Sequence, residues 1–324
     1  MGHAVNVLIS SVSKKVPLIR AVRKALAKMQ NGGKVIGADA DPHCIGKHFV
    51  DDFWQMPKLS DIKLASFLSE CQRLGIGWII PTRDGELEFY AEHKENLAKA
   101  GVAVMVSELS ALSACLDKFR FYEKLRDKGF PAIPTSLSIE EVEGPLYAVK
   151  ERFGAGSRGL ALKLSKGEAQ KHAAQLKNPI FQPFISGREV SVDLYLDRWK
   201  KTKGVIARKR EVVVHGESQI TTTFRDTFLE RLCSEMGEML QLSGHVMFQL
   251  IKDGDRYLVL ECNPRIGGAS TLSLEVGLDS FYWHFLEAQG KSLVDFPFNR
   301  SPTEKTLIRY PEDLIKDEAW THEL

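Results

Sequence analysis

Apolar residues recur in two alternating rhythms along the first third of the chain. Val5 to Ser10 (VNVLIS) is a short apolar run of the kind a strand buried on both faces requires. Val16 to Met29 then places Leu18, Ile19, Val22, Leu26 and Met29 at helical spacing. Gly32-Gly33 stops that helix and KVIGAD opens a second strand. The pattern continues with a helix over Ile62 to Leu74, a third strand over Gly77 to Pro81, a helix over Gly85 to Ala100 and a fourth strand over Val102 to Val106. Strands and helices in this alternation predict a parallel sheet with helices on both faces. Ligands of such sheets bind beyond the carboxyl ends of the strands. Those ends carry Ser10-Ser11, Asp39 with Asp41, and Pro81 to Glu86 (PTRDGE).

From about Ser107 the rhythm changes. A helix around Lys118 to Lys128 leads into the proline-punctuated GFPAIPTS. Apolar strands separated by glycine loops follow: LYAVKERFGAGSRGLALKL, IFQPFISGREVSVDLYLD and KGVIARKREVVV. A helix from about Arg225 to Leu242 precedes HVMFQLI and RYLVLECNPR. Antiparallel hairpins with helices to one side predict an α+β unit. There is no internal repeat and no low-complexity segment.

Composition narrows the class of protein. A chain of 324 residues has room for two or three domains. Its 44 basic and 42 acidic residues nearly cancel, so no general affinity for nucleic acid or membrane is expected. No apolar run approaches the roughly 18 residues of a membrane span, and the start MGHAVNVLISS has no secretory pattern. Asn6 stands where a myristoylation start would need Ser or Thr. Cys44, Cys71, Cys115, Cys233 and Cys262 are scattered and odd in number, which argues for neither a disulfide framework nor a zinc site. The expected setting is cytoplasmic and reducing.

Candidate chemistry gathers late in the chain. In LVLECNPRIGGAS, Glu261, Asn263 and Arg265 are two residues apart and so share one strand face. An anion, a neutral oxygen ligand and a cation in register suit Mg²⁺ with a phosphate or a developing oxyanion. The alternative is an ordinary polar strand end. Gln249, inside the apolar HVMFQLI, is either a satisfied core amide or a further oxygen donor to that site. FGAGSRG, Phe153 to Gly159, permits backbone N–H groups to approach phosphate oxygens, with Lys150 as a point charge beside it. Its other reading is a flexible turn, and it lacks the Gly-Lys-Ser/Thr of a P-loop. In FQPFISGREVSVD, backbone groups near Gln182 to Ile185 can meet an adenine edge, and Glu189 and Asp193 share a face, unless this is a plain hairpin. Arg208-Lys209-Arg210, expected to end a strand, is either a solvated edge or a clamp on phosphate or carboxylate. No Ser-His-Asp or Cys-His nucleophile and no H-x-x-x-H spacing is present.

Taken in order, ACLDKFRFYEKLRDKGFPAIPTS, YAVKERFGAGSRGL, FQPFISGREVSVD, HVMFQLI and LVLECNPR resemble the ATP-grasp superfamily, especially its carbamoyl phosphate synthetase large-subunit branch. KVIGADAD and IIPTRDGELEFYAEH resemble the α/β domain that precedes it, so the likeness covers nearly the whole chain. The resemblance implies an α/β fold: a Rossmann-like parallel-sheet domain over 1–107, then two α+β ATP-grasp subdomains over 108–180, with the glycine loop, and 181–324, with the Mg²⁺ and ATP site. It implies Glu261, Asn263 and Gln249 as metal ligands and Arg265 in catalysis. It implies Lys118, Lys150 and the loop residues Gly154, Gly156, Ser157 and Gly159 around ATP phosphates. Gln182, Phe184 and Ile185 would form the adenine hinge and Glu189 the ribose carboxylate. Lys118 stands where related synthetases often have arginine, which keeps the charge and loses the fork.

The implied activity is ADP-forming ligation of a carboxylate to an amine through an acyl phosphate, with ATP and one or two Mg²⁺ ions, for which Mn²⁺ can substitute. Arg208 and Arg210 are further catalytic candidates, for contacts near the transferred phosphate. Asp84, Glu86 and Glu88 form an acidic corner suited to a cationic acceptor, or simply a solvated helix start. The expected partners are small-molecule carboxylate and amine substrates, with no nucleic acid and no membrane, and a homodimer as an open option. Bicarbonate chemistry of the carboxylase or carbamoyl phosphate type is the alternative, though only one ATP-grasp unit and no amidotransferase or biotin carrier is in the chain. A catalytically silent nucleotide-binding module is the third reading.

Overall fold

The computed structural model describes residues 4–154, 156 and 159–317. Its opening segment runs β1 (Asn6–Ile9), α1 (Val16–Lys28), β2 (Val35–Asp39), β3 (Asp52–Gln55), α2 (Leu64–Arg73), β4 (Ile76–Ile80), α3 (Asp84–Glu92), α4 (Lys94–Lys99) and β5 (Ala103–Val104). The strands form one parallel sheet in the order β3-β2-β1-β4-β5. Helices on both faces leave β1 and β4 almost wholly buried, which is why their sequences are nearly unbroken runs of Val, Leu and Ile. Pro17 starts α1, and Leu18, Ile19, Val22, Ala25 and Leu26 form its buried face.

Two expectations are corrected here. The strand at Gly77 is fourth, not third, because the edge strand β3 has the sequence DFWQ, with no buried position to signal it. The helix expected over Gly85 to Ala100 is two helices, broken at His93.

The next segment holds α5 (Leu109–Leu116), α6 (Lys118–Asp127), β6 (Tyr147–Glu151), β7 (Ala161–Leu164), α7 (Lys166–Ala173) and β8 (Pro179–Pro183). Strands β7-β6-β8 make a small antiparallel sheet that shares a core with α7 through Tyr147, Val149, Ala169, Ala173 and Phe181. The last segment holds β9 (Arg188–Leu196), β10 (Thr202–Val214), β11 (Glu217–Phe224), α8 (Thr227–Met239), β12 (Gly244–Asp253), β13 (Arg256–Asn263), α9 (Thr271–Glu275), α10 (Ser280–Ala288) and β14 (Thr306–Ile308). Its six strands form an antiparallel sheet in the order β13-β12-β9-β10-β11-β14.

Packing cuts across the expected boundaries. Ala111, Cys115, Phe121 and Leu125 of α5 and α6 are buried with Val192, Leu194, Phe248 and Met236 against the large sheet, so the apolar side of residues 109–127 packs there, while Asp117 and Lys118 reach the end of the small sheet at Arg152. Phe281, Trp283 and Phe285 of α10 join Val7, Ile9, Trp78 and Ile80 of the first sheet in one core, which also takes in Tyr195 and Ile206. Trp78 and Phe285 stack with ring centroids 4.5 Å apart. The apolar residues of α10 therefore close the face of a sheet formed some two hundred residues earlier.

Candidate active site

The two antiparallel sheets and the corner of the first sheet enclose a cleft of about 2240 Å³. Its floor is built by β12, β13 and β9. Gln249 is opposite Glu261 on β13 and opposite Ser191 on β9. A register shift follows, so that Leu250 pairs with Val259 and Leu260 is the extra residue. This bulge reverses the alternation of β13. Tyr257 and Val259 point into the helix-covered core before it and Cys262 after it. Glu261, which has the same parity as Val259, is thereby turned to the cleft beside Asn263. Asn263 Nδ2 lies 3.4 Å from Glu261 Oε1. Gln249, with its amide turned so that both ends are satisfied, accepts from Arg210 Nη1 at 2.8 Å and donates to Glu261 Oε1.

The roof comes from the small sheet. Lys150 on β6 is buried across the cleft, and that burial pulls its ammonium pKa down to about 8; Glu261 opposes the shift and Lys118 adds to it. Lys118, the first residue of α6, donates from Nζ to Gly154 O at 2.7 Å. Asp117 caps the same helix, accepting from Phe119 and Arg120 N–H, and takes a bidentate pair from Arg152 at 2.7 and 2.5 Å. One corner thus ties the lysine to the glycine loop. Gly154 and Gly156 line the cleft. Gly159 packs instead on Leu176, 2.7 Å from where a Cβ would lie. Ser157 is outside the described residues.

Gln182, Phe184, Ile185 and Glu189 all line the cleft beside Lys150. Gln182 is buried and gives its amide to Thr135 Oγ1 at 2.8 Å, so its side-chain donor is already engaged. Glu189 is paired with Arg210, which also donates to Ser218 Oγ and Gly216 O.

The Arg208 to Arg210 run differs from the expectation in two ways. It lies inside β10, which continues to Val214, and alternation sends Lys209 to the opposite face over Phe224. Arg208 is buried to 1 % exposure and held by Asp193 Oδ2 at 2.7 Å, so its charge is already met. Asp193 is a hub that sequence reasoning noted only as a same-face neighbour of Glu189. Ser270 and Ser273 donate to it at 2.6 and 2.5 Å, and His245 Nε2 lies 3.3 Å away. Burial opposes its ionisation, yet Arg208 and His245 hold its carboxyl well below the usual range. Because Ser270 also accepts from Gly267 N, Asp193 fixes the loop that follows Asn263.

Arg265 lies just past the end of β13 and makes a bidentate pair with Asp84 at the start of α3, at 2.8 and 2.7 Å. Glu86 of the acidic corner turns away, buried against Ser10 and Thr82. Leu307 to Glu312, from β14 onward, also line the cleft, and Arg309 Nη2 lies 2.9 Å from where a Cβ of Gly268 would be. Nothing in the sequence near Arg309 signals that placement.

The donor set can be tested against a metal. Among the described residues no three His, Cys, Asp or Glu side chains are placed to hold an ion alone. Glu261 with two amide oxygens, one carboxylate in all, is a set of hard donors that fits Mg²⁺ shared with phosphate oxygens. Asn263 and Gln249 now turn their nitrogens to Glu261, and ligation requires both amides to rotate.

Comparisons with known proteins agree with this architecture. Residues 115–269 match the ATP-grasp domain and residues 7–105 match the PylC-like N-terminal domain. The chain therefore carries an ATP-grasp domain behind a PylC-like N-terminal domain. It is similar to the carbamoyl phosphate synthase large chains of Pyrococcus furiosus (24 % identical over 213 residues) and Sulfurisphaera tokodaii (25 % over 215 residues). Each match covers 56 % of this chain and 20 % of the relative, so the chain spans about a fifth of the length it matches. The fold is that of the biotin carboxylase domain of Hydrogenobacter thermophilus 2-oxoglutarate carboxylase, solved with MgADP, ADP and bicarbonate. That match has a TM-score of 0.74 at 14 % identity, over 94 % of this chain and 74 % of the other. Staphylococcus aureus N5-carboxyaminoimidazole synthetase with ADP matches at TM-score 0.69 and 17 % identity, over 90 % and 79 %. No helix among the described residues is long and apolar enough to cross a membrane.

Proposed function

We propose that this protein is an ATP-dependent, ADP-forming carboxylate–amine ligase. The observation that carries this reading is a buried lysine, Lys150, facing the oxygen-donor set of Glu261, Asn263 and Gln249 across a cleft. A buried ammonium faced by the Glu261 carboxylate and by a second cation, Lys118, is suited to phosphate. The bound Mg²⁺ would be held by Glu261 with Asn263 and Gln249, and would neutralise phosphate charge.

The chain's own residues position and neutralise, as phosphoryl transfer requires. Lys150 and Lys118 meet the phosphates under the loop at Gly154 and Gly156. The hinge at Gln182 to Ile185 takes the adenine, and Glu189 exchanges Arg210 for the ribose. Arg265 presents its guanidinium to the anion formed when a substrate carboxylate attacks the γ-phosphorus and ADP leaves. An amine then attacks the acyl phosphate, phosphate departs, and the amine proton passes to solvent. Arg210, joined to both Glu189 and Gln249, acts here as a positioning residue, and Arg208 supports the floor from within the sheet.

ADP release from MgATP, measured over a panel of carboxylates with and without amines, tests the proposal. Release that requires a carboxylate and rises with an amine supports it. Stimulation by bicarbonate alone favours the carboxylase or carbamoyl phosphate type of reaction. Tight ATP binding with no release under any pair favours a silent nucleotide-binding module. Glu261→Gln and Asn263→Ala should abolish turnover with the fold intact; survival of activity in both would overturn the metal assignment.

A further inference from the structure

Arg265 and Asp84 meet in the cleft as a closed ion pair, their side chains 16 % and 15 % exposed. A partly desolvated charge left without its partner is costly. A simple carboxylate taking Arg265 would strand Asp84, and a simple amine taking Asp84 would strand Arg265. A zwitterion does neither, because it exchanges one ion pair for two.

The surroundings are asymmetric in the same sense. Glu88 is one turn beyond Asp84 on α3, lines the cleft, and has no hydrogen bond or ion pair among the described residues. A cation at Asp84 therefore meets a second carboxylate. Asp84 holds the Nε and Nη2 edge of Arg265 and Ile266 O takes Nη1 at 3.0 Å, so a carboxylate that grips the guanidinium in bidentate fashion takes the place of Asp84. Lys15, one of the cations near Arg265, is occupied by Ser11 O at 2.6 Å.

From this geometry we infer that the carboxyl substrate is an amino acid, its carboxylate on Arg265 and its ammonium between Asp84 and Glu88. The inference rests on the ligase reading and names the substrate class of the same site. The carboxylate oxygen attacks the γ-phosphorus, the bond to the β-phosphate oxygen breaks, and ADP leaves with the electron pair. The ammonium keeps its proton beside the two carboxylates and is no nucleophile there. The amine that consumes the acyl phosphate is then a second molecule.

The test measures MgATP-dependent ADP release by the full chain, with hydroxylamine present as the second amine to consume the acyl phosphate. The panel is the proteinogenic amino acids in L and D form, each beside its α-desamino acid. At least one amino acid should stimulate release, with its desamino partner about tenfold or more poorer in kcat/KM. Asp84→Asn should raise the KM for that amino acid about tenfold, while the KM for MgATP stays within about twofold. Glu88→Gln, at an exposed position, should raise the same KM by less and covers the case in which the first variant does not fold. Desamino acids that serve equally well, an amino acid KM unmoved in both variants, or MgADP binding with no amino acid stimulating would each overturn the inference. Loss of MgADP binding by the unaltered chain would instead overturn the ligase reading, and this inference with it.

Discussion

The buried Lys150 makes nucleotide affinity depend on pH in a calculable way. Burial lowers its pKa to about 8 from the ordinary 10.5, so the free protein loses that charge within an accessible range. Phosphate oxygens beside the ammonium restore the charged form, so MgADP binding above pH 8 takes up a proton. At pH 7 the free lysine is about nine-tenths charged and at pH 9 about nine-tenths neutral. MgADP affinity should then fall about tenfold between pH 7 and pH 9, or about 1.4 kcal/mol. Titration calorimetry in two buffers of different ionisation enthalpy should find uptake of about 0.1 proton at pH 7 and about 0.9 at pH 9. Lys150→Met should bind more weakly by about 2 kcal/mol at pH 7 and show no such uptake. Equal affinity at both pH values, with no proton uptake by the unaltered chain, would refute the reasoning. The sign is opposite for the nucleotide-free fold: its penalty from the buried charge is full below pH 8 and is relieved as pH rises toward 10.5.

Other consequences follow from the same contacts. Asp193→Ala leaves the Arg208 charge buried without its partner and should cost about 3–5 kcal/mol in urea unfolding. Gly277 has φ +111° and a Cβ there would lie 2.2 Å from Asn299 O, so Gly277→Ala should lower stability by about 2 kcal/mol or more. Asp117→Ala removes a helix cap worth about 1 kcal/mol. Burial opposes ionisation of Asp117, but Arg152 and the cap N–H groups hold its pKa below the ordinary value, so its contribution is present at neutral pH and lost on acidification. The variant should lose less stability than the unaltered chain between pH 5 and the acid end of a chemical-denaturation series.

Much of the fold was legible because burial on both faces leaves continuous apolar runs. Strands β1, β2 and β4 and helix α1 announce themselves this way, whereas β3 at the sheet edge has no such run. The pairing of Gln249 with Glu261 followed from two neighbouring apolar strands. The bulge at Leu260 did not, because an extra residue leaves no mark in composition, and the shared face of Glu261 and Asn263 depends on it only through its orientation. The Arg208 run shows the limit of counting charges: three adjacent cations alternate across a strand, and the buried one is committed to Asp193. Placement of Asp84 on Arg265 needed tertiary structure, since 181 residues separate them.

The shared core of α10 and the first sheet bears on how the chain assembles. Trp78 finds its stacking partner in Phe285, and Val7 and Ile9 are sealed by residues more than 250 positions later. Contacts of such long range are slow to form. During synthesis, the parallel sheet emerges with one apolar face covered only in part, by α1, and the rest stays uncovered until α10 leaves the ribosome. That interval is when the chain is most exposed to aggregation and most dependent on chaperones. An isolated fragment of the opening segment should therefore be sticky and bind a hydrophobic dye that the whole protein does not.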